Sequence, residues 1–322
     1  MSLRLLFAGS AVLLAAMAAG MLWGSTSVDA SEFFAVLFHE GDATTRAVLL
    51  DVRLPRVIMA ANTGAVLALG GLCFQNVLRN PLAEPYILGV SGGAATGCIL
   101  GILLGWTALG VHFAGFCGGL STLFLVLKMA SPYRGESGLL LSGVMLNAFC
   151  GAVILFLIAL AKPYEIGTIM FWFMGNLAGP SLAKALTYTA ALLPGLCFLV
   201  LSSHVMNVLL LGRDTAVTLG LRADRAMYLL LAVTSVMVSA LVAAVGPLGF
   251  VGLAVPQALR LVLGQDNRVL APACVLFGAA FVIMCDVLAR TLPPEGEMPV
   301  GVITALIGAP VFILLQRKGR EG

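Results

Sequence analysis

Two segments hold side chains of the kinds that cleave peptide bonds. "GVSGG" places Ser91 in a GxSG pattern at Gly89–Gly92, and "HFAGFCGG" gives HxxGxxxG from His112 to Gly119. A serine–histidine dyad works only when the imidazole reaches the hydroxyl, at about 3 Å. Ser91 falls near one end of its apolar run, whereas His112 opens the next run at the opposite end. About 15–20 helical residues at 1.5 Å each set the two roughly 25 Å apart. That geometry excludes the intramembrane serine protease.

Other chemistry is thin. The sequence has no HExxH, no GxxxxGK[ST] and no Gly-Lys pair, so no phosphate loop for nucleotide hydrolysis. Its histidines (His39, His112, His204) lack metal-ligand spacing, and the seven cysteines lie scattered in apolar runs without a CxxC. The cysteines are expected to be small buried hydrophobes. No metal, cofactor or catalytic residue is expected. Two charged groupings stand out instead. In "CDVLARTL", Asp286 and Arg290 are four apart on one helix face, acid before base, the spacing of a structural ion pair. In "DVRLPRV", Arg53 and Arg56 stand at the mouth of a long apolar run.

The elements that must position these groups are membrane helices. Of 322 residues, 60% are hydrophobic and 10% charged, and mean hydropathy is +1.05. A soluble domain of this length cannot enclose that much apolar surface. Apolar runs at 5–23, 57–78, 86–106, 111–130, 138–161, 183–203, 226–245, 247–263, 269–290 and 299–316 predict about ten helices near the roughly 20-residue bilayer length. The fold class is thus all-α and polytopic, a single domain over 1–322. The first run is long for a signal peptide's core and reads as a retained helix. Alternating gaps then place Arg46, Arg53, Arg56, Lys162, Lys184 and Arg290 outside and the other twelve basic residues inside. The positive-inside rule therefore predicts cytoplasmic termini.

Three connections exceed simple turns. Residues 24–56 contain "SEFFAVLF", a short helix with Ser31 as its expected N-cap. Residues 163–180 run between prolines and carry Trp172, which suits an outer interfacial helix. Residues 206–225 form the longest cytoplasmic connection; Asp214 is expected to cap a helix through Leu219, with Gly220 stopping it. Glycines at four-residue spacing (Gly89 and Gly93; Gly97, Gly101 and Gly105; Gly115 and Gly119) predict close helix packing.

Five blocks now resemble, in order and over nearly the whole chain, the FecCD-type permeases of iron-siderophore, haem and cobalamin ABC importers. They are "RLPRVIMAANTGAVLALGGLCFQNVLRNPLAEPYILGVSGGAATG", "FWFMGNLAG", "LLGRDTAVTLGL", "GPLGFVGLAVPQALRLVLGQDNR" and "LARTLPPEGEMPVGVITALIGAPVFILL". The resemblance implies a homodimer of ten-helix subunits in the cytoplasmic membrane. It also implies two cytoplasmic ATPase subunits that use ATP and Mg, and an extracytoplasmic binding protein. The implied assembly sits in membrane lipid and involves no nucleic acid.

Carried over by position, the resemblance implies an ATPase-coupling element at Leu211, Gly212, Arg213, Asp214, Thr215, Leu219, Gly220 and Leu221. It implies a cytoplasmic gate at Asn80, Pro81 and Leu82 with Glu136 and Ser137. Ser142 and Asn147 in the fifth span are candidates for lining the path, an interhelical hydrogen bond being the other reading. Gln257 stands where many relatives have histidine. Arg53, Arg56 and Arg290 are expected to receive the binding protein's carboxylates, which arginine holds bidentately. The implied activity is import of a metal chelate by alternating access. A carrier driven by an ion gradient without an ATPase is the rival, and a structural scaffold without flux a third class.

Overall fold

The computed structural model describes residues 3–24, 29–38, 42–130, 136–293 and 296–318. Among these no strand occurs, and every apolar run read from the sequence holds a helix. Seven helices are long and apolar enough to span a bilayer; Val90–Leu103, Val251–Leu263 and Val300–Leu315 are apolar but shorter.

The chain opens with α1 (Leu3–Leu22), followed by two short helices, α2 (Ala30–Leu37) and α3 (Ala43–Ala47). The N-cap of α2 is Asp29 rather than the expected Ser31; its N–H donates to the Glu32 carboxylate at 3.2 Å, half of a capping box. From α3 the helix continues through a π-helical stretch, Val48–Arg53, into α4 (Leu54–Val77). Helix therefore runs unbroken over Ala43–Val77, so Arg53 and Arg56 lie inside it and not at its mouth. The wider turn precedes Pro55, whose missing N–H and bulky ring an α-helical ladder could not accommodate.

Helix α4 forms the axis of the bundle, buried along nearly its whole length. Around it pack α9 (Leu182–Leu201), α12 (Ala223–Val245), α13 (Val251–Leu263) and α14 (Asn267–Thr291). Helices α5 (Val90–Leu103), α6 (Ala108–Ala130) and α7 (Glu136–Leu160) form a layer on one side, and α15 (Val300–Lys318) packs on α13 and α14. Helix α8 (Pro163–Phe173) is the short helix expected within 163–180. Helices α10 (Ser203–Leu210) and α11 (Arg213–Thr218) lie at the opposite end of the bundle.

With lipid outside as apolar as the core, backbone approach drives packing. The close approach expected of the spaced glycines occurs between α5 and α6: a Cβ on Gly97 would lie 2.2 Å from the Ala114 carbonyl oxygen. Tighter still is α4 on α14, where a Cβ on Gly64 would fall 1.9 Å from the Gly278 carbonyl oxygen. Backbone cannot yield there, so Gly64→Ala is expected to lower stability by about 1–3 kcal/mol. Gly167→Ala in α8, with open space around it, should be neutral or slightly stabilising. Melting both variants in detergent checks this; equal melting temperatures would remove the close-approach argument. Five cysteines are buried as expected, but Cys117 and Cys197 are exposed on the helix surface.

Candidate functional site

At the end bearing α2 and α8, three arginines cluster: two of them bond to the C-terminus of α1 and the third to Asp286 and Glu297. Arg53, Arg56 and Arg290 are 3%, 5% and 3% exposed. Arg53 Nη1 donates to the carbonyl oxygens of Met21 (2.6 Å) and Leu22 (2.9 Å), and Arg290 Nη2 to that of Gly20 (3.1 Å). These are orphan carbonyls of the last turn of α1, and cations there also meet the negative end of its dipole. Arg56 Nε donates to Asp286 Oδ1 (2.8 Å) and its Nη1 to Glu297 Oε2 (2.5 Å). Arg290 Nε lies 3.0 Å from Asp286 Oδ2, the expected i,i+4 pair, although its N–H is directed at the Asp286 carbonyl oxygen at 3.4 Å.

The expectation of three outward-facing docking cations therefore needs correcting. Their guanidiniums face inward and tie α1, α4 and α14 together. Asp286 lies 230 positions from Arg56, so their pairing could not be read from local spacing, unlike that of Asp286 with Arg290.

At the opposite end, α11 matches the expected short helix with one difference. Gly212, at φ +103°, is its N-cap, and Asp214 sits in the first turn. Gly220 stops it: its N–H donates to the Val217 carbonyl and that of Leu221 to the Ala216 carbonyl, a Schellman closure needing φ +83° at Gly220. Arg213 grips Asp224 bidentately (2.8 and 2.7 Å), which raises the Arg213 pKa and fixes α11 to the start of α12. Leu211, Val217 and Leu219 are 62%, 56% and 62% exposed. This element thus projects apolar side chains from a braced backbone, while Thr215 lies exposed in its middle and Leu221 half-buried behind it.

Beside it, the turn after α4 is built by Asn80, whose Oδ1 accepts from the Leu82 N–H at 2.9 Å. Pro81 and Leu82 are exposed. Gln257 Nε2 donates to the Pro81 carbonyl oxygen at 3.1 Å, so the residue that departs from the family pattern holds this turn to α13. Glu136 and Ser137 open α7, but their side chains lie outside the described residues. In α7, Ser142 is buried and presents no surface, whereas Asn147 is exposed beside Gly92. Of the two path candidates only Asn147 is at a surface of the chain.

A chain of amides, unforeseen from sequence, links these parts. Arg260 donates to Gln75 Oε1 (2.7 Å) and Asn76 Oδ1 (3.1 Å); Asn76 Nδ2 donates to Asn267 Oδ1 (2.7 Å). Asn267 Nδ2 donates to Asn207 Oδ1 (2.8 Å), and Asn207 Nδ2 to Asp266 Oδ1 (2.7 Å). Donation from the Arg268 N–H and from Asn207 holds the Asp266 carboxyl below its ordinary range. The network runs from α13 through α4 and α14 to α10, the helix leading into α11. Its only sequence signal was polar amides inside apolar runs, as in "CFQNVL". Apart from this network, Glu84 lies in the turn before α5: burial pushes its carboxyl up to about 7, and its Oε2 has no hydrogen-bond partner among the described residues.

Comparison with known proteins gives this architecture its kinship. Residues 12–318 match the FecCD transport family. The chain is 43% identical over 277 residues to the cobalamin import system permease protein BtuC of Halobacterium salinarum, covering 85% of this chain and 74% of that one. It is 40% identical to the vitamin B12 import system permease protein BtuC of Klebsiella pneumoniae, over 84% and 83% of the two chains. An uncharacterized ABC transporter permease, YvrB of Bacillus subtilis, is 33% identical over 94% and 90%. A solved structure described as an inward-facing metal-chelate type ABC transporter superposes with TM-score 0.90 at 30% identity, over 98% and 99% of the chains. The chain therefore belongs to the FecCD transport family, as an inner-membrane permease of the ATP-binding cassette importers.

Proposed function

We propose that two copies of this chain form the transmembrane path of an importer for a metal chelate, with a corrinoid of the cobalamin class as the first candidate ligand. The observation that carries the mechanism is α11. It is a braced element with exposed Leu211, Val217 and Leu219, joined through α10 and the amide network to the turn at Asn80–Leu82. An ATPase closing on α11 would move α10 and that turn together, opening and shutting the path in alternating access. On this reading the α11 end and both termini face the cytoplasm. The binding protein docks at the other end, over the surface that the Arg53, Arg56 and Arg290 cluster holds in shape. The corrinoid assignment draws on the names of the 43% and 40% identical relatives.

The test is reconstitution in liposomes with an ATPase subunit and a binding protein from the same organism's FecCD-type importers. Cyanocobalamin uptake should require ATP and both partners, and exceed that of haem or a ferric siderophore. Preference for haem or a siderophore would reassign the ligand within the chelate class. Uptake that proceeds without the ATPase and collapses with an ionophore would replace the ABC mechanism by ion coupling.

A further inference from the structure

Between the C-terminal ends of α4 and α13 lies a cavity of about 400 Å³, at the same end of the bundle as α11. Arg79, Arg260, Gln75, Asn76, Asn80 and Gln257 line it, and no carboxylate does among the described residues. Water's share of liquid volume is about 30 Å³, so the space exceeds what a single bridging water fills.

The charge of Arg260 is the telling feature. The guanidinium is half-buried, and its hydrogen bonds go to the neutral amide oxygens of Gln75 and Asn76. Among the described residues, the buried arginines Arg53, Arg56 and Arg290 meet carboxylates or helix-end carbonyls. The nearest acid along the chain, Asp266, is engaged by Asn207 and the Arg268 N–H. Arg79 brings a second cation to the same wall and also approaches Gly212, the N-cap of α11: a Cβ there would lie 3.1 Å from Arg79 Nη1. Two arginines lining one polar cavity, with amides around them, supply the recognition chemistry of a phosphate oxyanion.

We propose that this cavity binds a phosphate-type anion, either free phosphate or the phosphodiester of an anionic phospholipid headgroup, through Arg260 and Arg79. An occupant would join α13 to the start of α11 at Gly212 and, through Gln257, to the Pro81 turn. It would therefore stiffen the segment that the coupling element must move.

The test uses the full chain purified in uncharged detergent and stripped of lipid. Radiolabelled orthophosphate is measured by equilibrium dialysis, and dioleoylphosphatidylglycerol by native mass spectrometry with dioleoylphosphatidylcholine as the zwitterionic control. Saturable binding of orthophosphate, or of phosphatidylglycerol in preference to phosphatidylcholine, is expected. Arg260→Gln should weaken it at least tenfold and Arg260→Lys less. Phosphate alone identifies a solvent anion as the ligand; phosphatidylglycerol alone identifies the headgroup. A second readout needs no variant: the bound anion should slow phenylglyoxal modification of Arg260 and Arg79 but not of exposed Arg222. Absence of saturable binding by both probes, equal binding of the two lipids without phosphate binding, unchanged binding by Arg260→Gln, or no protection in wild type would each overturn the proposal.

Discussion

Asp286→Ala should cost this protein about 3–5 kcal/mol, the penalty for removing one partner from a buried ion pair. Asp286 is fully buried and its carboxylate stands between Arg56 Nε (2.8 Å) and Arg290 Nε (3.0 Å). Without it, two guanidiniums remain out of water, and the half-exposed Glu297, bonded to Arg56, is left to balance them. Arg290 would be drawn toward Arg56's remaining partner or toward solvent, loosening its bond to the Gly20 carbonyl and so the end of α1. Glu297→Gln makes the contrast: that side chain is 34% exposed, water can replace its charge, and the loss should be about 1 kcal/mol or less. Thermal melting in detergent separates the two, with a fall on the order of 10 °C for Asp286→Ala and a few degrees for Glu297→Gln. Should Asp286→Ala melt with the wild type, the cluster would not be the brace described here.

The second large effect concerns assembly. Replacing Leu211 and Leu219 together by aspartate should leave melting nearly unchanged, because both side chains are exposed in the isolated chain and surface changes are worth about ±0.5 kcal/mol. Co-purification with the ATPase subunit should nevertheless fall. Apolar anchors at an interface core contribute about 2–4 kcal/mol each, so losing even one is roughly a 30- to 1,000-fold weakening. The Arg213–Asp224 bridge and the Schellman closure at Gly220 would still hold the backbone of α11. Loss of ATPase binding without loss of fold would thus report the missing leucine contacts. Retention of the ATPase by the double variant would remove α11 from the coupling role.

Much of this architecture is legible in the order of the amino acids. The length and composition of the apolar runs require membrane helices, because only intrasegment hydrogen bonding satisfies a backbone in hydrocarbon. Gly220 marks the end of α11, since it supplies the left-handed residue that a Schellman closure needs. Asp286 and Arg290 form a pair on one helix face. Local rules fail where local alternatives compete. Asp29 takes the cap expected of Ser31, and Gly212 the cap expected of Asp214. Pro55 is accommodated by a wider π turn, so the helix begins before it and Arg53 and Arg56, read as standing at a mouth, lie in the interior.

By itself, then, the sequence determined the solvent this protein lives in, the length and number of its apolar runs, the short helix at 213–218 and the kinship carried by ordered motifs. Each is written in consecutive residues, through period, composition and turn chemistry. Tertiary structure alone decided what each polar group meets: Arg56 with Asp286, Arg53 with the end of α1, Gly64 with Gly278, and Arg260 with the amides of α4. Those partners sit on helices far apart in the chain, and hydrophobic periodicity specifies which face of a helix is buried without naming the helix that covers it. In a bundle where lipid and core are equally apolar, backbone approach and polar pairing choose the neighbour, and both exist only once the helices have packed.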